Sequence, residues 1–233
     1  MNIKIIASSS KGNCYLIDDN KTFLLLEAGI PIKQIMAGCD FKLNMVQGCL
    51  ITHEHKDHSK AANDMIKRGI DIYTSLGTIS ACGLTGHRIH AVKAQEVFLI
   101  GSFTVMAFDV QHDAKEPLGF LIYSEYTGEK LLFFSDSFYI KYRFPGLTHI
   151  MCECNYSLEL MMDSVHRGYI PATLAPRIMK SHMSLEHLIQ MLQANDLSNV
   201  KQIYLLHMSE NNSDPQRFKE EVQKATGVEV YVG

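Results

Sequence analysis

The sequence predicts a mixed α/β (α+β) fold, a sandwich of sheets covered by helices. Three observations lead there. Strand-like apolar runs gather in two groups, one in each half of the chain; helical patterns fall between and after them; no linker, short repeat or low-complexity tract divides the 233 residues. With 46% hydrophobic residues the chain can bury a substantial core, and it reads as one domain over residues 1–233.

The first strands are expected near 2–7, 14–18, 22–27 and 48–52, with Ile72-Tyr73-Thr74 adding another. Ser8, Ser9 and Ser10 lie between the first two and read as turn residues rather than nucleophiles. Cys49-Leu50-Ile51-Thr52 is a short apolar run of the buried-strand kind. After it, Ser59 to Arg68 follows a helical pattern that stops at Gly69, so a helix is expected near 58–68. A helix near 76–82 completes this half. The second group of strands is expected near 103–110, 119–125, 130–135, 149–154 and 202–206, with helices near 157–165, 171–179, 184–194 and 215–226.

The loop that follows Cys49–Thr52 carries the chemistry. His53-Glu54-His55-Lys56-Asp57-His58 sets three imidazoles and the Asp57 carboxylate in one short segment. His53 and His55 are two apart, so in extended backbone they project to the same side, where one metal can take both. Asp57 and His58 fall where the chain turns into a helix, and their changed direction suits a second metal. Imidazole nitrogen and carboxylate oxygen are accepted by zinc, manganese and iron alike. The bland alternative is an exposed polar turn with incidental histidines. Four residues do not fill two coordination spheres, so further ligands are expected at other strand ends. His112, Asp136 and His207 each lie just past an apolar run. Singly, each is equally a core histidine or a turn-capping aspartate; jointly, after a metal loop, they are hard to read as accident.

His53-x-His55-x-Asp57-His58, followed by His112, Asp136 and His207, resembles the ligand series of the metallo-β-lactamase fold superfamily, in its order. That resemblance implies a four-layer αββα sandwich with the metals at one edge. It also implies His53, His55 and His112 on one metal, Asp57, His58 and His207 on the other, and Asp136 bridging. Further segments narrow the resemblance to the YycJ/WalJ type, which is similar to RNase J and tRNase Z but lacks their insertions. These are Ala7 to Ile17, Leu24 to Gly29, His112 to Phe120, Glu153-Cys154-Asn155-Tyr156, Tyr169-Ile170-Pro171, Arg177-Ile178, Ser181-His182-Met183-Ser184 and His207 to Asn212. One position departs: Glu27 stands where this type has Asp, a residue that supports the metal loop without binding metal. A longer side chain there alters the shell around the ligands.

Two divalent metals, zinc or manganese with iron also accepted, about 3.5 to 4 Å apart, lower the pKa of a bridging water and supply hydroxide as the nucleophile. Asp57 and His182 are the expected catalytic side chains. His182 is the candidate to serve the leaving oxygen, because Ser181-His182-Met183-Ser184 precedes a helix whose N-terminus favours phosphate; a solvent-facing histidine near an N-cap is the competing reading. Ser184 with His187 resembles a weak cap. Arg177 and Lys180 add positive charge nearby or simply face solvent. Asn155, Ser209 and Asn211 resemble positions near the site.

The resemblance implies a phosphodiesterase or nuclease, read as a DNA exonuclease. The alternatives are a phosphodiesterase for small cyclic or nucleotide substrates and a noncatalytic, metal-stabilised nucleic-acid-binding module. β-Lactam or thioester hydrolysis and iron redox chemistry fit less well, the last because it favours Glu where His55 stands. The expected partner is nucleic acid, DNA before RNA, or a small phosphodiester. A formal net charge of −3 and pI near 6.4 give the whole chain no basic field, leaving a local groove in which Lys93, Arg167, Arg177 and Lys180 take part. Sequence-specific DNA reading is not expected, since no zinc finger, RNP-like aromatic pair or evident recognition helix is seen. No apolar run is long enough to span a bilayer and the N-terminus is no signal peptide, so no membrane is expected and a cytoplasmic location is. Cys14, Cys39, Cys49, Cys82, Cys152 and Cys154 are scattered without a disulfide rhythm and read mostly as buried thiols.

Overall fold

A computed structural model describes residues 1–233. The fold is mixed α/β with two sheets. The chain forms two compact units, Met1–Asp109 with Ala114–Glu129, and Val110–Asp113 with Lys130–Gly233.

In the first unit, β1 (Asn2–Ala7), β2 (Cys14–Asp18), β3 (Phe23–Leu26), β4 (Val46–Leu50), β5 (Ile72–Thr74) and β6 (Ile89–Ala91) form a six-stranded sheet in chain order. The β1-β2-β3 steps are antiparallel and the β3-β4-β5-β6 steps parallel. Leu24, Leu25, Leu26, Cys49, Leu50 and Ile72 are buried, as parallel strands covered on both faces require. The helices of this unit are α1 (Ile32–Gly38), α2 (Lys56–Ser59), α3 (Ala62–Lys67) and α4 (Leu76–Cys82); α3 packs on β5. Ser75 caps α4 through its hydroxyl to Thr78 N, 3.1 Å, and Gly83 at φ 60° ends it. An antiparallel meander of β7 (Val97–Ile100), β8 (Phe103–Asp109) and β9 (Leu118–Ser124) completes the unit.

The helix expected over 58–68 is broken in two. Ala28 N donates to His58 O at 2.8 Å and Ala28 O accepts from Ala61 N at 2.8 Å. The backbone at Ala28 thus takes both a helical carbonyl and a helical N–H. Ala61, at φ −98° and ψ 7°, leaves the helical conformation there. The helix α1 and the short strands β6 and β7 were not expected. β6 is only three residues long, and β7 is apolar throughout with Val97 and Leu99 exposed, so neither shows the polar–apolar alternation of a half-buried strand.

In the second unit, β10 (Lys130–Phe134), β11 (His149–Glu153), β12 (Gln202–Leu206) and β13 (Glu229–Val232) run parallel in that order. Phe134 pairs with Cys152, Cys152 with Leu205 and Leu205 with Val232, so the strand ends come level. Residues placed just beyond them gather at one edge, where open parallel sheets bind ligands. The helices are α5 (Leu158–His166), α6 (Ala175–Ser181), α7 (Leu185–Gln193) and α8 (Pro215–Thr226), with α8 packed on α7 and β13. Asp214 caps α8 through Arg217 N at 3.0 Å, Pro215 opens it and Gly227 at φ 71° closes it. Helix α6 starts later than the expected 171, because Leu174 N closes a turn onto Pro171 O at 2.9 Å first. All six cysteines are free thiols, and burial pushes the Cys39 thiol up to about 11. No helix is long and apolar enough to cross a membrane.

Candidate metal centre

The first unit gathers its own group of donors where β3 and β4 end side by side. Glu27 follows β3 at φ 65°, a left-handed conformation that costs a residue with a Cβ of order 1 kcal/mol or more. Its N–H donates to Leu50 O at 2.8 Å, which sets its carboxylate against the segment leaving β4. Thr52 Oγ1 donates to Glu27 Oε1 at 2.6 Å, and Thr52 N lies 3.3 Å from Oε2. A threonine hydroxyl has one proton, so with that proton on Glu27 it accepts from His53 Nδ1, 2.9 Å away. This fixes His53 as the Nδ1–H tautomer and leaves Nε2 as its ligand atom.

His53 and His55 meet edge-on with ring centroids 4.6 Å apart, as their spacing predicts, and His58 joins His53 at 4.2 Å. His58, fully buried, sets Nδ1 3.4 Å from Glu27 Oε1 and Nε2 3.3 Å from Asp57 Oδ2. Glu27 therefore backs two loop histidines, one through Thr52 and one directly. The serine-rich turn braces the loop from its other side. Asn13 donates to Asp57 O from its backbone N at 2.8 Å and from Nδ2 at 3.2 Å. Gly29 is packed so closely on Asp57 O that a Cβ there would collide with it. Within the turn, Lys11 N donates to Ser9 Oγ at 3.1 Å, so Ser9 acts as the expected turn residue.

The second unit gathers His112, Asp136, Glu153, His182 and His207. His112 Nδ1 donates to Ser181 O at 2.8 Å, which leaves Nε2 as the lone-pair nitrogen. That Nε2 lies 3.5 Å from Asp136 Oδ2 and 3.4 Å from Asp113 Oδ1. Burial pushes the ring below the usual histidine range, against the pull of Asp136, so the neutral form is favoured. The other Asp136 oxygen, Oδ1, lies 2.8 Å from His207 Nδ1. One buried carboxylate thus offers a different oxygen to each of two histidines. His207 itself sits at φ 51°, a second left-handed residue at a strand end. Asn155 Nδ2 holds the His207 carbonyl at 2.9 Å, a role its sequence position did not disclose.

Ligand atoms of Asp136, Glu153, His182 and His207 all lie within 4.8 Å of one another. Glu153 is nonetheless an orienting group rather than a ligand. Its Oε1 accepts from His182 Nδ1 at 2.6 Å and His207 Nδ1 at 3.1 Å, and its Oε2 from Ser137 N at 3.0 Å and Met183 N at 2.9 Å. Four acceptor positions on a carboxylate are then filled. Burial pushes its pKa up, but the His182 charge and these hydrogen bonds outweigh that and hold it below the ordinary range. Burial likewise works against a charged His182 ring, and Glu153 with Asp136 reverses the sign and raises it.

Of the seven expected ligands, the first unit brings together His53, His55, Asp57 and His58, and the second His112, Asp136 and His207. Nitrogen donors of fixed tautomer beside carboxylate oxygens are a chemistry that fits divalent metal. His182 is held by Glu153 rather than by a helix terminus: it ends α6 in extended conformation, φ −130° and ψ 154°. Ser184 Oγ caps α7 through His187 N at 3.2 Å, as expected. Arg177 is committed to Asp113 through Nε and a terminal nitrogen, both 2.8 Å, and Arg167 to Asp163, so neither is a free cation for a substrate. Glu153 was matched in sequence only as part of a motif. Its partners lie far along the chain, and no local pattern marks it.

The sequence model described as "Beta-lactamase superfamily domain" matches residues 37–208. Exodeoxyribonuclease YycJ of Bacillus anthracis is 26% identical, over 91% of this chain and 84% of its own. Exodeoxyribonuclease WalJ of Streptococcus pneumoniae is 26% identical, over 90% of this chain and 82% of its own. Among solved structures, the metallo-β-lactamase fold protein YhfI of Bacillus subtilis superposes with a TM-score of 0.77 at 15% identity, covering 99% of this chain and 95% of that one. The short form of human tRNase Z gives 0.65 at 13% identity, with 100% and 96% covered. The two structural likenesses show the metallo-β-lactamase fold, the architecture expected from the ligand series.

Proposed function

This chain belongs to the beta-lactamase superfamily domain family, and from that membership we propose that it is a metal-dependent phosphodiesterase that degrades DNA from an end. In this reading the chain is one hydrolase domain with a dinuclear centre, in which His53, His55 and His112 would hold one divalent metal, Asp57, His58 and His207 the other, and Asp136 would serve both. Zinc and manganese are the metals proposed, with iron also compatible with the donors.

The observation that carries this reading is Asp136, with His112 at 3.5 Å from one carboxylate oxygen and His207 at 2.8 Å from the other. A buried carboxylate with one oxygen beside a proposed ligand of each metal supports a reading in which Asp136 would serve both. The names of the YycJ and WalJ relatives, alike over about nine-tenths of the chain, support DNA as substrate.

A bound metal pair supplies an activated hydroxide near neutral pH and charge stabilisation for a phosphodiester. The chain's own groups do the rest. Asp57 would take the proton released when that hydroxide forms from water. His182, whose pKa Glu153 raises by holding its Nδ1, gives a proton from Nε2 to the leaving oxygen. Glu27, through Thr52, keeps the Nε2 atom of His53 deprotonated and aimed.

The test is elemental analysis of protein purified without a nickel column, joined to Mn²⁺- and Zn²⁺-dependent turnover of end-labelled DNA, RNA and a chromogenic phosphodiester. Two metals per chain and stepwise shortening of DNA are expected. Turnover confined to the small ester would replace the nuclease reading with a small-molecule phosphodiesterase. A chain that holds no metal under any condition would end the dinuclear one.

A further inference from the structure

We propose that a cavity in the second unit, between the loop after Asp136 and helix α7, is a subsite for one nucleotide of a single nucleic-acid strand; the proposal rests on the nuclease reading above. The cavity measures about 260 Å³, and its walls include Tyr139, Lys141, Tyr142, Arg143, His187 and Gln190. No Asp or Glu lines it. On a chain of formal net charge −3, Arg143 with Lys141 and His187 gives this lining a cationic character.

The aromatic content separates a nucleotide from a bare anion. Tyr139 is 52% exposed, an open ring at the rim. Lys141 Nζ lies 4.9 Å from the centroid of the Tyr142 ring, which holds that cation over the cavity wall. Aromatic faces beside phosphate-binding cations are how proteins take single strands without reading sequence. Lys141 and Arg143 meet the phosphate, Tyr139 stacks on the base, and the Gln190 amide on α7 meets the base or sugar edge.

The walls are held in place. Ser137 N donates to Glu153 Oε2 at 3.0 Å, and Ser137 Oγ to Tyr139 O at 2.9 Å, which ties the start of the loop to the group that orients His182. At the other end Phe144 N donates to Asn195 Oδ1 at 2.8 Å, and Asn195 Nδ2 to Met191 O at 2.8 Å. The loop leaves the sheet at Asp136 and α7 starts just after His182, so both walls grow from the candidate centre. A strand held here continues from the bond being cut.

Arg143→Ala and Tyr139→Ala test it. Each is titrated, with the wild type, against a fluorophore-labelled single-stranded oligodeoxynucleotide in EDTA at several NaCl concentrations, and each is assayed with Mn²⁺ on bis(p-nitrophenyl) phosphate. Both variants are expected to bind the oligonucleotide about tenfold more weakly. Arg143→Ala should also lower the log–log salt slope by about 0.7. Turnover of the small ester should stay within about twofold of wild type. Wild-type affinity in both variants, or a wild type that does not bind the strand, overturns the subsite. An equal loss on the small ester overturns it too, since the loop would then support the centre and not the strand. Weakened oligonucleotide binding beside a wild type that hydrolyses no phosphodiester keeps the subsite and rejects the nuclease reading.

Discussion

Glu153 accepts a 2.6 Å hydrogen bond from Nδ1 of His182, and this contact decides which nitrogen of that ring is left for chemistry. The same oxygen accepts from His207 at 3.1 Å, so one buried carboxylate aligns a proposed acid and a proposed ligand together. Glu153→Gln keeps the shape but turns an acceptor into a donor facing an N–H. Activity on DNA or metal affinity is expected to fall by about 10–100-fold. Steady-state kinetics beside metal titration reads the loss; wild-type values in both would remove Glu153 from the site.

His182→Asn separates a leaving-group role from a structural one. p-Nitrophenolate departs without a proton, whereas a DNA alkoxide needs one. The variant should cleave DNA about 10²–10⁴-fold more slowly while hydrolysing bis(p-nitrophenyl) phosphate nearly as well as wild type. Equal losses on both substrates would argue against proton donation. Metal content measured alongside is expected to be unchanged.

Thr52→Val is close in shape and lacks the hydroxyl that joins Glu27 to His53. The His53 tautomer is then no longer fixed, and metal affinity should weaken by about 10–100-fold in a competition titration with a chelator. Stability should also drop by about 1–3 kcal/mol, because a buried carboxylate oxygen loses its partner. Urea unfolding in EDTA measures that part separately.

Acid sensitivity has a specific source in the first unit. Asp19 accepts from Ser102 Oγ and Ser124 Oγ at 2.6 Å each, from Thr22 N at 2.8 Å and from Lys21 N at 3.0 Å. Burial pushes its pKa up, but these bonds outweigh burial and hold it below the ordinary carboxylate range. A lowered folded pKa stabilises above the unfolded value of about 3.9 and is lost as pH falls through the folded one. Asp19→Asn should therefore unfold at lower urea than wild type at pH 7, with the gap narrowing below about pH 4. A gap that does not change with pH would trace the loss to geometry rather than charge.

The pairing of His53 with His55 was legible because strand backbone repeats every two residues, which is a local property. Strand-end positions for His112, Asp136 and His207 were legible for a similar reason: each follows an apolar run long enough to be a strand. The break after Ser59 was not, since it depends on Ala28, a residue from another strand end. Arg177 read as a cation near the site until its carboxylate partner Asp113 came into view. Lys141 and Arg143 drew no notice at all, because a cavity wall shared by a loop and a helix has no signature in either one.

By itself the sequence determined the donor inventory, the order of the ligands and the strands that end at them, because apolar periodicity and residue chemistry are properties of short segments. Tertiary structure alone decided which nitrogen of His53, His112 and His182 is left to act, that Glu153 orients while Asp136 faces two histidines, and that Tyr139 and Arg143 share a cavity wall with α7. Those outcomes depend on hydrogen bonds and ion pairs of 2.6 to 3.5 Å between residues far apart in the chain, which only the folded chain brings together.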